Sequence, residues 1–360
     1  MLFRSEWKNL YDSKSGERGI YNVAAAQAQA AKYGRRDPEI HYGTNPCSEI
    51  ILRPYQFCNL SEVVIREKDT QKTVAEKVRL ATILGTWQST LTDFKYLRKI
   101  WKDNTEEERL LGVSLTGQFG NKFFSGKENI KKLEETLSGL REYACEINKE
   151  VAGKLGISAS AAITCVKPSG TVSQLVGVSS GMHPWHSDYY IRTVRGDKKD
   201  PLSTFLKEVG IPVEDDFMKP TDTYVFSFPV KAPEGAILRK DLTAIEHLNT
   251  WLVYQRAWCE HKPSITVSVR EDEWMAVGAW VWEHFDEVSG ISFLPYSDHS
   301  YKQAPYQEVT ETEYLELLAK MPSNIRWEDL SFYETEDGTS GTQTLACTSD
   351  GNCEIVDISA

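Results

Sequence analysis

Long runs of apolar residues at helical spacing alternate along this chain with short apolar or β-branched runs, and that alternation most restricts the folds open to it. From Thr73 to about Leu110 the residues Val74, Val78, Leu80, Ala81, Ile83, Leu84, Trp87 and Leu91 fall mostly three or four apart, which predicts buried helix. A second such run covers residues 130–155. An alanine-rich helix is predicted over residues 21–33, ended by Gly34 and by the Arg35, Arg36, Asp37 and Pro38 that follow it. Between and after these runs lie residues 161–166, 189–194, 224–228, 264–269 and 291–294, each short, apolar and bounded by Gly or Pro. Strands alternating with helices imply an α/β architecture with a largely parallel sheet.

Composition narrows the class further. With 360 residues and 41% hydrophobic content the chain can bury a large core. No stretch approaches the roughly 18 to 20 apolar residues of a membrane helix, and the first residues lack the apolar centre of a signal peptide, so the expectation is a cytoplasmic protein without membrane contact. A net charge of -11 argues against a nucleic-acid surface, which draws on clustered Lys and Arg. Small anions stay open, because backbone amides and hydroxyls can hold them locally. Seven cysteines in a chain of this kind point to reduced thiols or thiol chemistry rather than a disulfide framework. After Tyr333 apolar residues become scarce and Gly, Ser, Thr and Asp common, so residues 1–333 are expected to form the folded body and 334–360 a flexible tail.

Three motifs carry chemistry. Asn45, Cys47 and Glu49 sit at alternate positions, and in an extended backbone they would share a face as an amide, a thiol and a carboxylate. Cys58 follows eleven residues after Cys47, close enough for a loop to return it to the same place; the bland alternative is a turn cysteine and a small core residue. The second motif runs from Lys167 to Ser173 directly after an apolar run. Ser169, Gly170, Thr171 and Ser173 there suit phosphate oxygens, or equally a helix N-cap. The third is Cys347 with Cys353, which can meet as a disulfide and travel on a polar segment. Metal binding is the rival for that pair, but no second Cys pair or His cluster accompanies it, so no metal site is expected. Core packing is the simpler reading for Cys145, Cys165 and Cys259.

Taken together, residues 45–50 (NPCSEI), the Cys58 segment, residues 167–175 (KPSGTVSQL), 179–184 (SSGMHP), 259–267 (CEHKPSITV) and the paired tail thiols resemble the adenosylcobalamin-dependent, class II ribonucleotide reductases of the monomeric triphosphate type. The resemblance runs over nearly the whole chain and matches the C-terminal half of that family's catalytic chain. It implies a ten-stranded α/β barrel with the Cys47 segment at the tip of a central finger loop. By the same likeness Cys47 becomes a thiyl radical, Glu49 is the base on the ribose 3′-hydroxyl, and Asn45 orients the substrate. Cys58 matches one of two thiols that reduce the 2′ position, Cys347 and Cys353 match a tail pair recharged by thioredoxin or a similar dithiol, and Ser169, Gly170, Thr171 and Ser173 match the phosphate loop. The implied cofactor is adenosylcobalamin.

One departure stands out. Members of that family are about twice as long, and their second reducing thiol comes from the N-terminal half; residues 1–46 here contain no Cys. The expected partner is therefore a complementary N-terminal half. The rival inside the family is a class I diphosphate-reductase large subunit, which carries a late tandem tyrosine pair, whereas Tyr296, Tyr301, Tyr306, Tyr314 and Tyr333 are all single. The rival outside enzymology is a catalytically silent scaffold half.

Overall fold

The structure is a computed structural model that describes residues 2–13, 19–296 and 302–335. In chain order the elements begin α1 (Leu2–Ser13), β1 (Gly19–Tyr21), α2 (Val23–Ala31), β2 (Gly43–Thr44), β3 (Ile51–Leu52), β4 (Asn59–Val64), α3 (Gln71–Gln88), α4 (Lys99–Glu108) and β5 (Leu111–Thr116). They continue with α5 (Ile130–Leu155), β6 (Thr164–Cys165), α6 (Val172–Val176), β7 (Tyr189–Asp197), α7 (Pro201–Glu208), β8 (Val213–Asp215), β9 (Thr223–Lys231) and α8 (Ala244–Ala257). Last come β10 (Thr266–Val269), α9 (Trp274–Glu283), β11 (Gly290–Pro295), β12 (Tyr306–Glu308) and α10 (Glu311–Lys320).

These elements fall into two compact units, one of Met1–Asp188 with Lys231–His299, the other of Tyr189–Val230 with Ser300–Ala360. The second unit is a sheet in the order β12-β7-β9-β8, antiparallel at its β12-β7 and β8-β9 pairs. The first holds three sheets: β4-β5-β6, parallel throughout; β1-β11-β10, parallel only between β10 and β11; and the hairpin β2-β3. The fold is thus mixed α/β, as expected. The parallel pairs β4-β5, β5-β6 and β10-β11 lie in the first unit, and among the described residues the strands lie in four separate sheets rather than one closed ten-stranded barrel. No helix among the described residues is long and apolar enough to cross a membrane.

The β4-β5-β6 sheet explains where a site can form. Register pairs Ser61 with Val113 and Val113 with Thr164, and on the alternate positions Glu62 with Ser114 and Ser114 with Cys165. Side chains alternate across a strand, so the two sets face opposite ways. Val63, Ile65, Leu111, Val113 and Leu115 are buried against Val74 and Val78 of α3 and Leu133, Leu137 and Leu140 of α5. Each such side chain contributes roughly 1.5 to 3 kcal/mol, enough for this one face to anchor the sheet. The other face is left to Glu62, Ser114, Thr116 and Cys165.

Helix ends follow local chemistry. The run predicted from Thr73 to Leu110 is two helices, because Ser89 and Thr90 turn their hydroxyls back onto the carbonyls of Thr86 and Trp87, both at 2.7 Å, and close α3. The helix α5 begins at Asn129, whose side chain accepts from Lys132 N at 3.0 Å, and stops at Gly156 in the left-handed conformation.

Candidate active site

The Cys47 segment is the tip of the β2-β3 hairpin. Asn45 N donates to Ile50 O at 3.4 Å, Ser48 N donates to Asn45 O at 2.8 Å, and Asn45 Oδ1 accepts from Ile50 N at 3.0 Å. Ser48 has a φ of 66°, a left-handed conformation that reverses the chain just after Cys47. The segment is therefore a tight turn, and the shared face expected of an extended Asn45-Cys47-Glu49 does not form. Pro46, which cannot donate a backbone hydrogen bond, and the left-handed Ser48 are the cause. Cys47 is exposed, whereas Glu49 is wholly buried.

Glu49 is buried with its charge answered on one side only. Lys167 Nζ donates to Glu49 Oε1 at 2.7 Å, while Oε2 is buried and has no hydrogen-bond partner. Burial disfavours the Lys167 ammonium, but the bond to Glu49 and the carboxylate's charge outweigh it and raise the Lys167 pKa. Lys262 is almost wholly buried, and its Nζ donates to Ser48 Oγ at 3.1 Å. Burial lowers its pKa to about 8, against the pull of Glu49 and of Cys259 and Cys47. Cys47, Ser48, Lys262 and Ser264 line an open cleft of about 260 Å³, completed by Tyr21, Thr44, Ile291 and Ser292 among others.

Cys58 approaches the same region from the start of β4. Its sulfur is the neighbour a Cβ on Gly112 would meet at 3.3 Å. Burial pushes the Cys58 thiol well above its ordinary range, Arg36 opposes the shift, and Glu49 adds to it. A buried network holds this segment in place: Arg36 grips Glu108 through Nε and Nη2, both at 3.0 Å, and donates to Ile51 O at 2.8 Å, while Gln56 also donates to Glu108. The base of the hairpin and the Cys58 loop are thus tied to one ion pair.

The loop from Lys167 to Ser173 follows β6. Ser169 is left-handed, with φ of 54°, and its hydroxyl donates to Glu62. Ser173 is buried and its hydroxyl donates to Ser169 O. Gly170 and Thr171 are exposed. Gly181 lets residues 179–184 press onto the loop, since a Cβ there would stand 2.1 Å from Lys167 O, and its φ of 48° favours glycine as well.

The structure brings Asn45, Cys47, Glu49 and Cys58 into one region of the first unit and sets the Ser169 loop beside it through Lys167. Cys347 and Cys353 lie outside the described residues. Sequence reasoning assigned no task to Lys167, His261, Lys262 or Ser264, although all four stand inside the segments that carried the resemblance. Cys165 is buried on the sheet face that carries Glu62 and Ser114, and Cys145 bonds Glu260 at 3.4 Å.

The fold resembles part of two ribonucleotide reductase structures. The crystal structure of a B12-dependent (class II) ribonucleotide reductase matches with a TM-score of 0.75 and 24% identity over 92% of this chain and 50% of that one. The class Id ribonucleotide reductase alpha subunit of Actinobacillus ureae matches with a TM-score of 0.55 and 16% identity over 82% of this chain and 61% of the other. In sequence the chain is similar to adenosylcobalamin-dependent ribonucleoside-triphosphate reductases: it is 28% identical to that of Lactobacillus gasseri over 92% of this chain and 48% of the relative. The enzyme of that name from Euglena gracilis is 29% identical over 86% of this chain and 42% of its own length. A probable one from Dictyostelium discoideum is 30% identical over 78% and 36%. The chain thus spans about half the length of the curated relatives it matches. No family model matches it.

Proposed function

We propose that this chain carries the thiol half of a radical ribonucleotide reductase that converts ribonucleoside triphosphates to 2′-deoxyribonucleotides. The observation that carries the reading is the pairing of an exposed Cys47 thiol with a buried Glu49 carboxylate, two residues away, that keeps one oxygen unpartnered. In the proposed reaction Cys47, as a thiyl radical, takes the hydrogen atom from the ribose 3′ carbon. Glu49 Oε2 takes the 3′-hydroxyl proton as general base, and Lys167 holds the other oxygen and fixes the carboxylate. The 2′-hydroxyl leaves as water. Cys58 and a second thiol supply two electrons and two protons and end as a disulfide, Glu49 returns its proton, and Cys47 returns the hydrogen atom to the 3′ carbon. Nucleotide and dithiol thus give deoxynucleotide, disulfide and water. The Nδ2 donors of Asn45 are available to a substrate hydroxyl, since the turn uses only its oxygen, and Gly170 and Thr171 would meet the phosphates.

Adenosylcobalamin, when bound, would supply the radical by homolysis of its cobalt-carbon bond. The site fits such a group to the extent that the reactive thiol faces an open cleft instead of a closed cavity; Tyr21, Thr44, Ile291 and Ser292 are the residues of this chain that would lie beside it. The parallel strands β4, β5, β6, β10 and β11 would then form part of a ten-stranded barrel that a complementary N-terminal half completes. That half would bring the second thiol, and thioredoxin or a similar dithiol would recharge the pair.

Substitution of the two thiols in the completed enzyme tests the assignment. Cys47→Ser removes the weak S-H bond and should abolish isotope exchange from 3′-labelled substrate. Cys58→Ser should keep that exchange and yield no deoxynucleotide. Equal loss of exchange in both variants would show that the roles are misassigned.

A further inference from the structure

Residues 261–264 grip the thiol turn at four points. Ile51 N donates to His261 Nδ1 at 3.3 Å, Lys262 N to Glu49 O at 3.1 Å, Lys262 Nζ to Ser48 Oγ at 3.1 Å, and Ser264 Oγ to Cys47 O at 2.9 Å. Of these contacts the one through Lys262 Nζ brings a charge. Its side chain is 1% exposed, although an ammonium is costly to bury. The space it occupies depends on Gly290, where a Cβ would stand 2.6 Å from Ser48 Oγ and 3.0 Å from Lys262 Nζ. The reaction proposed above gives this ammonium no task.

We propose that Lys262 is the positioning residue of the thiol turn: it holds Ser48 in its left-handed conformation and sets a positive charge behind Cys47, so that the sulfur faces the cleft in a fixed direction. This deepens the reading of Cys47 as the reacting thiol and rests on it. The groups around the ammonium are Glu49 and Cys47 on the turn, Lys167 beside Glu49, and Cys259 after α8. Burial lowers the Lys262 pKa to about 8, so its charge should be switched off within an accessible range.

Thiol alkylation reads the effect directly, because the thiolate is the nucleophile and needs neither nucleotide nor cofactor. The 360-residue chain is treated with iodoacetamide, and the peptide that carries Cys47 is followed by mass spectrometry in the wild type and in Lys262→Met, Lys262→Arg and Ser48→Ala. At pH 7 alkylation of Cys47 should be about fivefold slower in Lys262→Met, as for loss of one nearby charge in a partly solvated site. Lys262→Arg, which keeps the charge, should recover at least half of the rate. The ratio of wild-type to Lys262→Met rates should fall toward one as pH rises through about 8. Equal rates for wild type and Lys262→Met, or an arginine variant as slow as the methionine variant, would overturn the proposal. Should Lys262→Met not fold by circular dichroism, Ser48→Ala decides: a slower rate with an unchanged spectrum supports the proposal and an unchanged rate defeats it. If the Lys262 effect stands while the completed enzyme reduces no ribonucleotide, the reductase reading falls alone.

Discussion

Of the three hydroxyls between residues 169 and 173, two are already used by the protein itself. Ser169 donates to Glu62 and Ser173 to the carbonyl of Ser169, so Thr171 is the hydroxyl left at the surface of the loop. If it binds a phosphate, its contact is similar in ground and transition states, and its loss raises KM more than it lowers kcat. A hydrogen bond to a charged group is worth about 1.5 to 3 kcal/mol, so in the completed enzyme Thr171→Ala should raise KM by about tenfold or more with kcat nearly unchanged. An unchanged KM would count against the phosphate assignment. Ser173→Ala should instead lower thermal stability. Which residue types gather at the site was legible in the sequence, since Cys47, Glu49, Cys58 and the hydroxyl loop stand in short distinctive segments. Their division of labour was not: which hydroxyl faces outward, and which lysine answers Glu49, depends on partners more than one hundred residues away in the chain, such as Lys167 for Glu49 and Glu62 for Ser169.

At the scale of elements, the site is a hairpin tip pressed between the β4-β5-β6 sheet and residues 261–264. His261 joins all three, accepting from Ile51 N at Nδ1 and therefore donating from Nε2 to Leu111 O, at 2.9 Å. Burial, with Arg36 and Arg35 adding to it, lowers the His261 pKa to about 3, and burial with the nearby His183 lowers that of His247 to about 4. Both are depressed below the unfolded value near 6.5, so above pH 6.5 neither state is protonated and folding carries no penalty. As pH falls below 6.5 the unfolded chain takes up protons that the folded chain refuses, and stability drops until the folded values are reached. Each histidine costs up to about 1.4 kcal/mol per pH unit in that window. The urea midpoint should therefore fall between pH 7 and pH 5, and more gently in His247→Gln. A midpoint equal at both pH values in the wild type would contradict this.

Legibility at this scale followed the hydrophobic pattern. The strands β6, β7, β9, β10 and β11 were visible as apolar runs, whereas β4 and β5 were not singled out, because Glu62, Ser114 and Thr116 interrupt them on the face that lines the site. Alternation at Asn45, Cys47 and Glu49 suggested a strand, and Pro46 with left-handed Ser48 made it a turn.

Taken whole, the chain spans about half of its curated relatives, 48% of the Lactobacillus gasseri enzyme, and two of its assigned cysteines, Cys347 and Cys353, lie outside the described residues. Cys58 stands in a crowded, half-buried place, and thiol-disulfide exchange needs direct contact between sulfurs, so a protein reductant requires a carrier to reach it. In the completed enzyme Cys347→Ser with Cys353→Ser should leave the first turnover intact and block later ones with thioredoxin, while dithiothreitol bypasses the block. Full multiple turnover of the double variant with thioredoxin would make the tail pair incidental. The central proposal is that Cys47 and Glu49 of this chain are the radical thiol and base of a cobalamin-dependent reductase. Its most direct test combines the chain with the N-terminal portion of a related enzyme that this chain does not span, adenosylcobalamin, a ribonucleoside triphosphate and a dithiol, and measures deoxynucleotide by chromatography. The account predicts deoxynucleotide that depends on both the cofactor and the N-terminal portion and vanishes with Cys47→Ser. Product formed equally well by the Cys47→Ser variant, or no product from the folded, complemented wild type, would contradict it.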